Sequence, residues 1–291
     1  MLTGLLRCPH CGSELELAAD AVCAECGHRF PIVDGIPVLL DEETISGEPQ
    51  YSDQRAYFDA EFQGYERYSL ENWRSAYIDR LRAAGVLDDS KAPLVDVGVG
   101  GSGYTVIEAA RDGLAAIGCD LSLEGLRTAR RFAKTEGLAE RTLWVRCSAE
   151  KLPLASASVG AALAIAVLEH VPDDESALGE LARVLRRGGR AWITVPHALR
   201  HISPLFRQAN RRHDRRLGHL RRYEAESLVE RARRFGLEPV DVQFTGHSVK
   251  VLQLLAGRLS DQLWWWCEGR DRRRSSDRRG SMQLSIVFAR A

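Results

Sequence analysis

The 291-residue chain carries 40 Lys and Arg against 40 Asp and Glu, with 45% hydrophobic and 27% charged residues. That balance leaves room for one α/β domain and a small accessory unit, and it excludes a disordered, collagenous or disulfide-stapled chain. Charge is unevenly spread: residues 200–291 hold twenty Lys and Arg against ten Asp and Glu, either a bias of composition or a surface that meets phosphate or carboxylate.

Residues 1–40 form the first unit. Cys8-Pro9-His10-Cys11 and Cys23-Ala24-Glu25-Cys26 are two CxxC turns separated by eleven residues. Each turn presents two thiolates, and four thiolates close a tetrahedral shell around Zn²⁺ with no position left for water. Cys8, Cys11, Cys23 and Cys26 are therefore the predicted ligands of a structural zinc, with His10 and His28 as bystanders. So short a unit has too little core to fold alone, and metal binding supplies the missing free energy. Cys119, Cys147 and Cys267 are scattered and suggest no disulfide framework, so a reducing cytosol is expected. The first cysteine pair stands where a hydrophobic leader would be, so no signal peptide is expected. With the segment Phe30-Pro31-Ile32-Val33-Asp34-Gly35-Ile36-Pro37-Val38-Leu39, this unit resembles the small zinc-ribbon family that includes the activator subunit of tRNA and protein methyltransferases. The resemblance implies a scaffold packed against a methyltransferase domain.

Residues 41–68 are polar with interleaved aromatics (Tyr51, Tyr57, Phe58, Phe62, Tyr65, Tyr68) and read as a linker able to cover a site. Leu70, Trp73, Tyr77 and Leu81 recur at helical spacing, which predicts a helix over 69–84, capped by Ser69 and ended by Gly85. From residue 94 strands and helices alternate. Strands are predicted at 94–97, 115–120, 142–147, 159–167, 190–195, 240–245 and 283–290. Helices are predicted at 105–111, 123–136, 175–185 and 225–235, with a turn at Gly188-Gly189. The run 159–168 is the longest apolar stretch, far too short to span a bilayer. This alternation predicts a Rossmann-like, doubly wound, mostly parallel seven-stranded α/β sheet covered on both faces.

The chemistry-bearing stretch is Val95-Asp96-Val97-Gly98-Val99-Gly100-Gly101-Ser102-Gly103, between a strand and a helix. Glycines there let the backbone approach a ligand and leave helix N-terminal N–H groups free. A dinucleotide site uses a similar turn. Asp96 argues instead for an ammonium-bearing ligand, because its carboxylate repels a pyrophosphate, and Asp120 ends the next strand where an acid can accept from ribose hydroxyls. With Gly118-Cys119-Asp120-Leu121-Ser122, Ala149-Glu150-Lys151-Leu152-Pro153, Leu168-Glu169-His170-Val171 and Arg183-Val184-Leu185-Arg186-Arg187-Gly188-Gly189, residues 90–195 resemble the class I S-adenosylmethionine-dependent methyltransferases, in the branch related to quinone biosynthesis. The resemblance implies Asp96 and Gly98 near the methionine moiety of the cofactor, with Gly100 and Gly101 also binding it. It also implies Asp120 on the ribose, Leu121 on the adenine, Ser148 and Ala149 at the adenine edge, Glu150 among the cofactor-binding residues, and Ile165 and Ala166 on the methionine side. The sequence departs from the family pattern at Ser102, Ser148, Ser156 and Gly160.

Methyl transfer is an in-line displacement at a sulfonium carbon, so the protein aligns the nucleophile and removes its proton where its pKa is high. His170 and His197 follow the fourth and fifth strands, where acceptor-side residues belong. Residues 197–222 form a long Arg-rich connection ending in Gly218-His219-Leu220-Arg221-Arg222-Tyr223. It resembles an acceptor-side segment of the same branch, which implies His219 and Tyr223 facing the site; the alternative is a solvated loop. A second insertion, 246–280, places Val251, Leu252, Leu255, Leu259, Leu263 and Trp266 at helical spacing, with Trp264-Trp265-Trp266 before the arginines of 270–279. It reads as a core helix with a disordered basic tail, or as a peripheral contact with a membrane or lipid-linked acceptor. The predicted organisation is a zinc ribbon (1–40), a linker (41–68) and a methyltransferase domain (69–291). The predicted reaction is methyl transfer to a small or lipid-like acceptor such as a natural product, glycan or isoprenoid. One alternative is an RNA methyltransferase, against which stands the lack of basic tracts interleaved with stacking aromatics. Another is a non-catalytic protein that binds S-adenosylmethionine.

Overall fold

The structure is a computed structural model that describes residues 2–40, 57–60, 62, 64–88, 92–247, 252–253 and 259–291. Tyr51, Val251 and Leu255, with most of the predicted linker, lie outside the described residues.

Four short strands, β1 (Leu15–Leu17), β2 (Asp20–Cys23), β3 (Arg29–Val33) and β4 (Ile36–Pro37), form an antiparallel sheet in sequence order. This ribbon does not stand apart. Val38 pairs in parallel with Arg146, and the Leu39 N–H donates to the Arg146 carbonyl at 2.9 Å. Leu6 pairs with Leu154, and the Arg7 N–H donates to the Pro153 carbonyl at 2.9 Å. Leu6, Cys8, Cys23, Phe30 and Leu39 are buried in one core with Val95, Val145 and Leu154. The ribbon thus covers the edge of the larger sheet, satisfying backbone groups that an open edge would leave to solvent or to another chain.

The larger sheet has seven strands: β5 (Leu94–Val97), β6 (Ala116–Asp120), β7 (Thr142–Arg146), β8 (Val159–Ile165), β9 (Leu185–Pro196), β10 (Leu237–Thr245) and β11 (Gln283–Arg290). Their order is β10-β11-β9-β8-β5-β6-β7. The strands from β9 to β7 pair in parallel, and β11 runs antiparallel to both β9 and β10. The order reverses at β5, whose neighbours are β6 and β8, and this opens a crevice at the carboxyl ends of the strands. Central strands β5 and β8 are buried along almost their whole length, as strands covered on both faces must be.

The α-helices described over their whole length are α1 (Asn72–Ala83), α2 (Tyr104–Arg111), α3 (Leu123–Thr135), α4 (Asp174–Val184), α5 (Pro204–Leu217), α6 (Ala225–Arg233) and α7 (Asp261–Arg272). None is long and apolar enough to cross a membrane. Ser122 caps α3 by accepting the Gly125 N–H at 2.9 Å, and Asp173 caps α4 by accepting the Ser176 N–H at 3.0 Å.

Several sequence expectations change. Glu71, not Ser69, stands at the cap position of α1; the Ser69 carbonyl accepts from Arg74 instead. Gly188-Gly189 does not precede the fifth strand but lies inside β9, where Leu185 pairs with Val159 and Arg190 with Ala161, so the intervening residues bulge from the ladder. The 197–222 connection is mostly α5, fourteen residues of which none is buried. In the second insertion α7 buries Cys267, Glu268 and Asp271 rather than its leucine and tryptophans, while Leu259, Leu263 and Trp266 are exposed. Its inward side is polar because Arg80 of α1 meets Glu268 at 2.6 Å and Asp271 at 3.6 Å. The expected disordered basic tail is tied down: the Phe244 N–H donates to the Ser275 carbonyl at 2.7 Å and the Gly280 N–H to the His201 carbonyl at 2.7 Å.

Candidate functional site

The glycine-rich turn after β5 is bound to the end of β6. The Gly98 and Val99 N–H groups both donate to the Cys119 carbonyl, at 2.8 and 3.0 Å. The Asp120 carboxylate accepts the Gly100 N–H through Oδ2 and the Ser122 N–H through Oδ1, each at 2.8 Å. One side chain therefore fixes two turns. Gly98 has φ +72°, and a Cβ there would collide with Val167, so both conformation and space require glycine. A Cβ on Gly101 would lie 2.7 Å from the Phe62 ring, because the aromatic segment before α1 folds over the turn. Asp59 in that segment accepts from the Ser122 hydroxyl.

Asp96 is buried beside this turn. Thr105 donates its hydroxyl to Oδ2, while Oδ1 has no partner. Burial pushes the Asp96 carboxyl up to about 7, against the pull of the Thr105 hydrogen bond. Burial raises Asp120 as well, opposed by its two backbone donors. An unpartnered carboxylate oxygen in a buried wall is costly unless a ligand completes it, and an ammonium group is the chemical match.

Both acids line a cavity of about 840 Å³, as do Gly98, Gly100, Gly101, Leu121, Ser148, Ala149, Ile165 and Ala166. Ala166 adopts φ +57°, a left-handed conformation that costs a non-glycine residue roughly 1–3 kcal/mol and concentrates at ligand-binding sites. Glu150 is not part of the wall; its Oε1 accepts the Asp173 N–H at 2.9 Å and its Oε2 faces the Ser148 hydroxyl at 3.3 Å. The rest of the wall includes the aromatic residues Phe58, Trp73, Tyr77, Tyr104 and Trp264, with Arg74, Arg80 and Arg216. Sequence reasoning assigned no site role to Trp73, Arg74, Tyr77 or Tyr104, and it placed Arg216 only within the Arg-rich acceptor-side segment. Tyr104 directly follows the glycine turn and was findable; the others come from distant segments and carry no local signal.

The four acceptor-side candidates separate. His170 lines the cavity, and its ring lies 5.7 Å from that of Phe58. Its Nδ1 has no hydrogen-bond partner, and burial brings it down to about 4, so it is neutral near pH 7. His219 stands behind it, rings 4.8 Å apart, with Nδ1 bonded to Asp214 at 2.9 Å. His197 is buried away from the cavity, its Nδ1 2.6 Å from the Ser281 hydroxyl. Tyr223 is buried too and donates its hydroxyl to Asp174 at 2.7 Å. His197 and Tyr223 pair β9 with the segment before α6, a position that packs the structure and does not open on the cavity. Glu169, beside His170, is buried with Oε2 unpartnered, and burial raises it to about 8.

In the ribbon, Cys8 and Cys26 Sγ lie 3.7 Å apart and Cys11 and Cys23 Sγ 3.4 Å apart. All four sulfurs fall within 4.8 Å of one another. A tetrahedral zinc with Zn–S of about 2.3 Å needs sulfurs separated by about 3.8 Å, so the residues fit this ion.

Residues 95–193 match a family described as a methyltransferase domain. Norajmaline N-methyltransferase of Rauvolfia serpentina is 34% identical over 129 residues, covering 43% of this chain and 44% of that protein. tRNA 5-carboxymethoxyuridine methyltransferase of Escherichia coli is 34% identical over 113 residues, covering 38% of this chain and 42% of that protein. The chain thus spans less than half the length of these two relatives. Geranyl diphosphate C-methyltransferase of Streptomyces coelicolor, solved with Mg²⁺, geranyl diphosphate and S-adenosyl-L-homocysteine, matches with a TM-score of 0.59 at 18% identity, over 84% of this chain and 99% of that one. The fold of this chain is that of the class I methyltransferases.

Proposed function

We propose that this chain transfers the methyl group of S-adenosylmethionine to a small, largely apolar acceptor, and that its four-cysteine ribbon holds a structural Zn²⁺. The observation that carries the reading is Asp96, a buried acid with one oxygen unpartnered, on the cavity wall beside the glycine turn. In this reading Asp96 takes the cofactor's ammonium and Asp120 its ribose hydroxyls, while Leu121 packs on the adenine. When bound, the sulfonium supplies an activated leaving group. The residues contribute by holding acceptor and donor in line and by excluding water with Phe58 and Phe62. In this reading His170 accepts a proton from the nucleophile, its ring being neutral near pH 7 and on the cavity. His219 orients it from behind; His197 and Tyr223 support the fold.

The test is calorimetry of S-adenosylhomocysteine binding to metal-replete protein, with mass spectrometry of co-purified small molecules. Stoichiometric binding is expected, and no binding by folded protein ends the reading. An RNA acceptor draws support from the tRNA-modifying relative and from the exposed arginines of α5. It predicts salt-dependent RNA binding, whereas the aromatic cavity favours a small molecule. A non-catalytic role predicts bound S-adenosylmethionine that no acceptor turns over.

A further inference from the structure

Outside the glycine turn, the cavity wall carries a charge pattern that methyl transfer as such does not require. α5 presents five arginines. Arg207 donates to the Ile202 and Arg200 carbonyls, each at 3.0 Å. Arg211, Arg212, Arg215 and Arg216 have no hydrogen bond or ion pair among the described residues. They stand at i, i+1, i+4 and i+5, so each has a like charge one turn away. Such pairs destabilise a helix. Arg215 and Arg216 regain part of this from the helix C-terminus, whereas Arg211 and Arg212 lie before the last turn. The helix's one carboxylate, Asp214, is already engaged by Arg222 at 2.7 Å and His219 at 2.9 Å. Four unneutralised guanidiniums on a helix with no buried residue point to an anion from outside the chain.

α5 reaches the cavity through His213, Arg216 and Leu217. Arg74 also lines it, over the Trp73 ring at 4.9 Å. The carboxylates on the wall are all committed elsewhere. Asp96 and Asp120 sit at the glycine turn, and Glu268 is bound by Arg80 at 2.6 Å and Arg272 at 3.0 Å. A cationic acceptor would meet arginine with no free carboxylate beside it, while an anionic head would meet unpaired guanidinium beyond an aromatic wall.

We infer that the acceptor is an amphiphile whose anionic head, a phosphoryl or carboxyl group, is held at the cavity mouth by Arg216 with Arg212 one turn behind it, and whose apolar body lies along Trp73, Tyr77 and Tyr104. This rests on the methyl-transfer reading above. The test compares full-length, zinc-loaded protein with the Arg212→Gln/Arg216→Gln variant, both saturated with S-adenosylhomocysteine. Calorimetry measures binding of dodecyl phosphate, dodecanoate, dodecanol and dodecylamine below their micellar concentrations. The two anions should bind about tenfold or more tighter than the alcohol, as loss of a charge-assisted bond implies, with the amine weakest. That advantage should shrink as ionic strength rises from about 0.05 to about 0.5 M, and largely vanish in the variant. S-adenosylhomocysteine affinity should be equal in both proteins. Equal binding of the alcohol, preference for the amine, or an unaltered preference in the variant overturns the inference. So does displacement of dodecyl phosphate by equimolar inorganic phosphate, since the collar would then read a free anion. Recruitment to phosphatidylglycerol vesicles without binding of monomeric amphiphile overturns it too, in favour of membrane docking. Failure to bind S-adenosylhomocysteine would sink methyl transfer while leaving the amphiphile measurements readable.

Discussion

Replacing Asp120 by Ala removes the carboxylate that ties the glycine turn to the end of β6. Two bonds go at once, from the Gly100 and Ser122 N–H groups, both 2.8 Å. Hydrogen bonds to a charged group are worth about 1.5–3 kcal/mol each. Backbone donors at a cavity wall recover part of that from water, so the apo protein should lose roughly 2–4 kcal/mol of stability. The same substitution removes the proposed acceptor for the ribose hydroxyls and lets the turn relax. A loss of about 3 kcal/mol in binding corresponds to roughly a hundredfold weaker S-adenosylhomocysteine affinity. Calorimetry gives the affinity, and a urea melt gives the stability and shows that the variant is folded. Zinc content should be unchanged, because the ribbon meets β7 rather than this turn. A folded variant whose affinity stays within about threefold of the parent's would refute both the ribose assignment and the role of Asp120 as the clasp of the turn.

Metal removal should act at a distance. The Leu39 N–H holds the Arg146 carbonyl, and Arg146 Nε donates to the Leu121 carbonyl at 2.9 Å, so stripping the four cysteines should lower the melting temperature and also weaken S-adenosylhomocysteine binding; a melt unaffected by chelation would count against a structural ion. Asp96, raised to about 7, must lose its proton to meet an ammonium, so affinity should climb from pH 6 to pH 8 and then level, with proton release measurable in buffers of different ionisation enthalpy; a flat profile would contradict the pairing. Apo stability follows a different course. Asp96 and Glu169 have folded values raised to about 7 and about 8, so their stabilisation is full below the unfolded carboxyl range and is lost as pH rises through the folded values. His170 and His197, lowered to about 4, work in the opposite sense between about 4 and 6.5 and largely offset the carboxyls there. The net expectation is a decline confined to about pH 6.5–8, reduced in Glu169→Gln; a stability that rises across that window would be inconsistent with these buried acids. Once an acceptor is found, His170→Ala should slow turnover by about 10²–10⁴-fold with cofactor affinity unchanged, and a rate that stays near the parent's would remove it as the base.

Local patterns were enough for part of this protein. The seven strands and the glycine turn follow from short-range signals: apolar runs bounded by turns, and a carboxylate before a run of glycines. The CxxC pairs likewise mark the ribbon through ligand chemistry alone. What the tertiary structure decided are the relations between distant segments. Nothing in residues 1–40 says that the ribbon seals the edge of β7, because edge pairing depends on which strand is left without a neighbour. His197 and His170 look alike as strand-end histidines, yet the antiparallel insertion of β11 beside β9 buries His197 against Ser281 while the crevice beside β8 exposes His170 to the cavity. This part of the cavity wall is gathered from α1, α2, α5 and α7, and a surface assembled from separate helices leaves no periodicity in any one of them. Sequence pattern fixes which elements form, because hydrogen bonding and burial act over a few residues; packing alone determines which side chains share a cavity, because that depends on how those elements close on one another.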